Sequence, residues 1–172
     1  NILPNDRLEF LFADGELQEI LIHKGLLLSY QIKLSPEIII KRTDKRPDLI
    51  NSLKTGVIDS SFYLAGLKND VPESVIMDLA YIFGWDIDFV FDIRVGDRFK
   101  ILYETPFVDG QQIENGSILF AEFYNQNNQY AAIRYEGKNK KWEYFDEFGG
   151  SLEKAFLRAP LDFAYVSSHF NP

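Results

Sequence analysis

The sequence contains no cysteine and only two histidines, His23 and His169, in 172 residues. Without cysteine the chain forms no disulfide, builds no thiolate zinc site and offers no thiol nucleophile. The two histidines show no HExxH, HxH or HxxxH spacing, so a hydrolytic zinc centre with two or more imidazole ligands has no local basis. Positive charge is scarce as well. Eighteen Lys and Arg stand against 26 Asp and Glu, a net charge of −8, and the basic stripe that a phosphate backbone requires is missing. Nucleic acid is therefore excluded as a partner, and the small cluster Lys138, Lys140, Lys141 reads as a solvated turn. Long apolar runs are also absent. "GLLLSY" and "VIMDLAYIFGW" fall short of the roughly 18 to 20 residues that span a bilayer. Asn1 to Asp6 carries no basic segment backed by an apolar core, which leaves a cytosolic chain or an exported one whose leader has been removed.

What is present is apolar and aromatic substance: 46% hydrophobic and 15% aromatic residues, enough for one large core or two small ones. Two stretches share a pattern. "LPNDRLEFLF" (3–12) precedes the turn Asp14-Gly15, and "IRVGDRFKILY" (93–103) precedes Asp109-Gly110. Each runs from a turn residue through Asp-Arg into an alternating strand, with Leu8, Phe10 and Phe12 on one face in the first, and Phe99, Ile101 and Tyr103 in the second. Between them the spacing predicts two helices. Asp59-Ser60-Ser61 caps a short one ending at Leu67, and Asp70 with Glu73 caps another that carries Val75, Ile76, Leu79, Ile82 and Phe83 to Gly84. Strands are expected at 98–104, 117–124, 130–136 and 141–146, separated by Gly- and Asn-containing turns. "RPDLINSLK" fits either a helix or an edge strand. The fold class is α+β in two small modules: a β-rich module over 1–55, a second module over 56–156 with two helices and an antiparallel sheet, and a final strand or linker over 157–172.

Candidate catalytic groups are few. "GWDIDFVFD" gathers Asp86, Asp88 and Asp92, but Val90 stands where an EF-hand needs its third ligand and no glycine follows at the sharp turn. A glycosidase would need two carboxylates across a cleft. The simpler reading is a strand with Trp85, Ile87, Phe89 and Phe91 turned into the core. No GxSxG elbow is present, the Asp-Gly pairs are hairpin turns, and His23 beside Lys24-Gly25 reads as a strand-end or hairpin residue. No catalytic residue and no metal ligand is assigned, and the residues alone describe a binding or regulatory module.

Three segments carry a resemblance. "GVIDSSFYLAG" (56–66), "VIMDLAYIFGWDIDFVFDIRVGDRFKILYE" (75–104) and "GGSLEKAFLRAPLDFAYVSSHFNP" (149–172) resemble the non-catalytic part of the lysostaphin-type (LytM) zinc metallopeptidases of Gram-negative envelopes, in the murein DD-endopeptidase group. The resemblance implies a parent enzyme in which the last segment leads into a peptidase domain, and a zinc-polarised water there cleaves peptidoglycan cross-links. The zinc ligands of that domain are not in this chain, and His169 occupies a position where relatives often have Arg. It further implies a periplasmic or envelope location, a parent open to membrane anchoring, and an accessory region that covers the substrate groove until activation. The partners expected are the catalytic domain of the same protein and, second, peptidoglycan. Phe163, Tyr165, His169 and Phe170 are the expected interface. The alternative is an independent peptidoglycan- or protein-binding module.

Overall fold

A computed structural model of the chain describes residues 1–34, 36–137 and 140–152. Two antiparallel sheets follow one another along the sequence. The first holds β1 (Arg7–Ala13), β2 (Glu16–Lys24), β3 (Leu28–Lys33) and β4 (Ile39–Asp44), in that spatial order. The chain then forms β5 (Asp48–Val57), α1 (Phe62–Lys68), α2 (Glu73–Phe83), β6 (Arg98–Val108), β7 (Gln111–Gln112), β8 (Ser117–Asn125), β9 (Asn128–Glu136) and β10 (Trp142–Phe145). The second sheet has the order β10-β9-β8-β6-β5, with the short β7 paired to β6. The α+β class and the arrangement of a β-rich part followed by helices and a second sheet are those expected.

The shared motif has a structural cause. In both copies a backbone turn closes on an aspartate: Asp6 N donates to Leu3 O and Asp97 N to Arg94 O, each at 3.1 Å. The residue before the aspartate, Asn5 or Gly96, has a positive φ of 77° or 97°, as the third position of a type II turn requires. Each carboxylate then reaches back three residues. Leu3 N donates to Asp6 Oδ2 at 2.8 Å and Arg94 N to Asp97 Oδ2 at 2.7 Å. The chain thereby enters β1 and β6 in a fixed direction.

Helix α1 begins where Ser61 Oγ accepts from Leu64 N at 3.2 Å, which satisfies one of the free N–H groups of the first turn. The start of α2 differs from the expectation. Pro72, not Asp70, is the N-cap; Asp70 has a φ of 54° and its N–H donates to Leu67 O at 3.0 Å, so it closes the end of α1 instead. The expected apolar stripe of α2 is buried throughout. It packs on one face of the second sheet, against Phe99, Ile101, Ile118 and Phe123. At the centre Phe62 meets Phe89, Phe99 and Phe123 at ring distances of 5.1, 5.5 and 5.4 Å. Full burial of each such ring stabilises by roughly 1.5 to 3 kcal/mol.

One further difference stands out, and the open choice between helix and edge strand for "RPDLINSLK" is decided for the edge strand, since β5 ends the order of the second sheet. Residues 85–91 form no strand: Ile87 and Phe89 are buried, but Phe91 is 74% exposed. The alternating pattern there belongs to a series of turns whose carboxylates bond the backbone. "RPDLINSLK" lies largely in β5, which pairs with β6 from Asp48↔Phe107 to Val57↔Arg98. The two sheets therefore divide between Asp44 and Asp48, and residues 48–55 hydrogen-bond with the second.

Candidate docking surface

The register of the first sheet puts Phe10, Ile20, Ile32 and Ile40 opposite one another across all four strands. Opposed residues of an antiparallel sheet share a face, so these four form one apolar row. The next row on that face is Leu8, Ile22, Tyr30 and Arg42. The other face is mainly polar, with rows Arg7–His23–Ser29–Thr43 and Glu9–Leu21–Gln31–Lys41. Among the described residues none before Ile58 is buried; Phe10 is 52% exposed and Ile40 64%. An amphipathic sheet normally buries its apolar face against a second layer, and among the described residues this one has none.

The second sheet has a comparable row on the face turned away from the helices. Leu53, Leu102, Phe120, Ile133 and Phe145 are paired in succession across β5, β6, β8, β9 and β10. Their neighbours Ile101, Ala121 and Ala132 are fully buried under the helices, so alternation points this row outward. A bulge at Leu102/Tyr103 keeps the row continuous by placing an extra residue in β8. Tyr135, which meets Phe145 edge-on at 6.4 Å, widens the row at one end.

Of the three acidic residues singled out in the sequence, Asp88 and Asp92 come close together, and their carboxylates serve the backbone. Asp88 Oδ1 accepts from Val90 N and Phe91 N at 2.9 and 3.1 Å, and Asp92 Oδ2 accepts from Asp88 N at 2.9 Å. The loop they shape is held by Asp97, the aspartate of the second Asp-Arg pair, for which the sequence alone indicated no such role. Its carboxylate accepts from Arg94 N, from Asn125 Nδ2 at 2.8 Å and from Gln126 N at 3.2 Å. Asn125 Nδ2 and Gln126 Nε2 also donate to Asp92 O, at 2.8 and 2.9 Å. The result is a fixed platform from which Val90, Phe91 and Val95 project.

His23 lies at the end of β2, as expected, and lines a shallow cleft with Arg7, Ser29, Lys45 and Asp109. Its Nε2 is 3.3 Å from Glu9 Oε1 without a hydrogen bond. Arg7 holds Glu9 by hydrogen bond and charge, which lowers the acid's pKa, and Lys45 Nζ lies 2.5 Å from Asp109 Oδ2. Among the described residues no three His, Cys, Asp or Glu side chains are grouped so as to hold a metal ion. No helix among them is long and apolar enough to cross a membrane. The expected interface residues Phe163, Tyr165, His169 and Phe170 lie outside the described residues. The two apolar faces were not foreseen, because they depend on strand register, although the alternation at Leu8, Phe10 and Phe12 carried part of the signal.

Comparison with known proteins gives a consistent set of likenesses. Residues 47–172 match the family described as the Csd3 second domain. The peptidoglycan DD-endopeptidase ShyC of Vibrio cholerae is 36% identical over 99% of this chain, which covers 39% of that protein; ShyB of the same organism is 26% identical, with 40% of its length covered. The chain thus spans about two fifths of these relatives. A crystal structure of a zinc-containing peptidase from Vibrio cholerae superposes with a TM-score of 0.61 at 24% identity, covering 99% of this chain and 53% of that one. Helicobacter pylori Csd3 superposes at 0.58 with 17% identity, covering 81% and 38%. At these identities the structural likeness establishes the fold.

Proposed function

The chain belongs to the Csd3 second-domain family, and from that premise we propose that it is the non-catalytic accessory region of a peptidoglycan-cleaving zinc endopeptidase. It docks on the catalytic domain of its own polypeptide and controls access to the substrate groove. The observation that carries this reading is the apolar face of the first sheet, whose row Phe10–Ile20–Ile32–Ile40 has no cover among the described residues. Phe163, Tyr165, His169 and Phe170, near the junction with the downstream domain, extend the contact. In this reading zinc belongs to that downstream domain, which is supported by the fold likeness to a zinc-containing peptidase. The relatives named as peptidoglycan endopeptidases support a cell-envelope, periplasmic setting.

The test is to assay peptidoglycan turnover by the separately produced catalytic domain while adding this chain in trans. Saturable inhibition is expected. Absence of both association and inhibition would overturn the reading, as would turnover of peptidoglycan by this chain alone. Binding of soluble muropeptides without any effect on the catalytic domain would favour an independent wall-binding module instead.

A further inference from the structure

The second sheet ends on a strand with an open edge. β5 closes the spatial order of that sheet, and among the described residues no strand pairs with its outer side. Such an edge presents a row of free N–H and C=O groups that another strand can complete. The usual safeguards of an edge are weak here. β5 runs for ten residues without a bulge or a proline, and Leu49, Ile50 and Leu53 are each half exposed or more. Its register fixes what each face offers. Leu53 pairs with the outward Leu102, so Leu49, Asn51 and Leu53 share the outward face, and Asp48, Ile50, Ser52 and Lys54 share the face of the helices. There Lys54 Nζ stands 3.9 Å from Asp70 Oδ2, a loose contact with a 91% exposed side chain. Asp48 has no ion pair among the described residues.

We infer that the occupant of this edge is β5 of a second copy of the chain, paired antiparallel about a two-fold axis at Asn51. In that register the strand is complementary to itself. Each Asp48 lies opposite the partner's Lys54, so two ion pairs flank the axis. Each Leu49 lies opposite the partner's Leu53, which joins four leucines on the outward face and carries the apolar row of one copy into the other. The two Asn51 amides, each with donors and an acceptor, meet at the axis itself. Sliding the copies by two residues in either direction sets Asp48 opposite Ser52 or Gly56 and removes both ion pairs. A slide of one residue brings side chains of opposite faces together. The contact is isologous and closes on itself, as a two-fold dimer requires. The first sheet takes no part in it, so the inference is independent of any docking on a catalytic domain.

The absence of cysteine makes the test direct. Asn51→Cys sets two thiols across the axis, where opposed Cα atoms of antiparallel strands lie about 4.5 to 5.5 Å apart, within the reach of a disulfide. Thr55→Cys, on the same face of the same strand, would lie about 26 Å or more from its mate at about 3.3 Å per residue. Mild oxidation is expected to cross-link the first variant and not the second. Sedimentation equilibrium of the unmodified chain, from micromolar to millimolar, is expected to show monomer and dimer in exchange. Asp48→Lys should weaken the dimer about tenfold or more, since two attractions become repulsions, and adding Lys54→Asp should restore it. Unchanged circular dichroism spectra check that these variants fold, and the charge series keeps the test intact should Asn51→Cys not fold. A chain that stays monomeric throughout would overturn the inference, as would a dimer indifferent to Asp48→Lys. Cross-linking of Ile50→Cys or Ser52→Cys in preference to Asn51→Cys would overturn the register. A dimer abolished by Phe10→Asp with Ile40→Asp would overturn it in favour of a contact through the first sheet.

Discussion

Replacing Asp97 by alanine should destabilise the second module by about 3 kcal/mol. The carboxylate is 7% exposed and accepts three hydrogen bonds, from Arg94 N, Asn125 Nδ2 and Gln126 N. Asn125 is itself 5% exposed, so its amide would lose one of its two acceptors and keep only Asp92 O. A buried donor left unpaired costs about 1 to 3 kcal/mol, and each of the two partly buried backbone bonds about 0.5 to 1.5 more. These terms span about 2 to 6 kcal/mol together, and water admitted beside Arg94 and Gln126 offsets part of them, which leaves about 3 kcal/mol, in the lower half of that span. For a protein of this size, about 3 kcal/mol corresponds to roughly 6 to 12 °C in melting temperature. Asp97→Asn should recover little, because three donors converge on the carboxylate and an amide turns one donor of its own toward them. Urea denaturation of the wild type and both variants, followed by circular dichroism, measures this. A loss below about 1 kcal/mol for the alanine variant, or full stability of the asparagine variant, would refute the view that Asp97 holds the loop.

Other consequences are simpler to test. Gly56→Ala places a methyl 2.4 Å from Phe99 Cζ and 2.8 Å from Asn69 Nδ2, so the buried ring must shift; a loss of about 1 to 3 kcal/mol is expected in denaturation. Asp78 is exposed at its outer side, but partial desolvation by its surroundings raises its pKa, so the folded state holds its proton more tightly than the unfolded chain, and stability falls modestly as pH rises from about 3.9 through the raised value. Asp78→Asn should therefore be the more stable protein at neutral pH, and its advantage should vanish below about pH 3.9; melting temperatures across that window read it out. Asp6 has the opposite sign. The Leu3 N–H, first, and Lys24 lower its pKa, so its contribution is present above about pH 3.9 and lost as pH falls through the depressed value, a loss absent in Asp6→Asn.

The parts of the fold that were legible in the sequence are those fixed by local chemistry. The α2 stripe, the Ser61 cap and the Asp-Gly hairpins each depend on residues a few positions apart, and each was found. The turn at 94–97 was visible as a repeated string, but its role in the loop was not, because Asn125 at the end of β8 and Gln126 in the turn after it lie nearly thirty residues later. The stretch 85–91 was misread for a related reason. Ile87 and Phe89 face the core two residues apart, as in a strand, while Asp88 bends the backbone so that Phe91 faces out. The membership of β5 in the second sheet rests on pairing with β6, some fifty residues distant, to which local patterning is blind. The apolar rows follow from register between strands, so a single strand such as β3 shows only alternation. Sequence resemblance did carry the family, through the segments at 56–66 and 75–104.

The most direct test of the central claim is calorimetric titration of the separately produced catalytic domain with this chain and with its Phe10→Asp, Ile40→Asp variant. Both side chains are more than half exposed, so the variant keeps the core intact, while each would withdraw about 1.5 to 3 kcal/mol of apolar burial from a docked complex. The account predicts measurable binding by the wild-type chain and a loss of affinity of about a hundredfold or more in the variant. Equal affinity of the two proteins, or no binding by either, would contradict it.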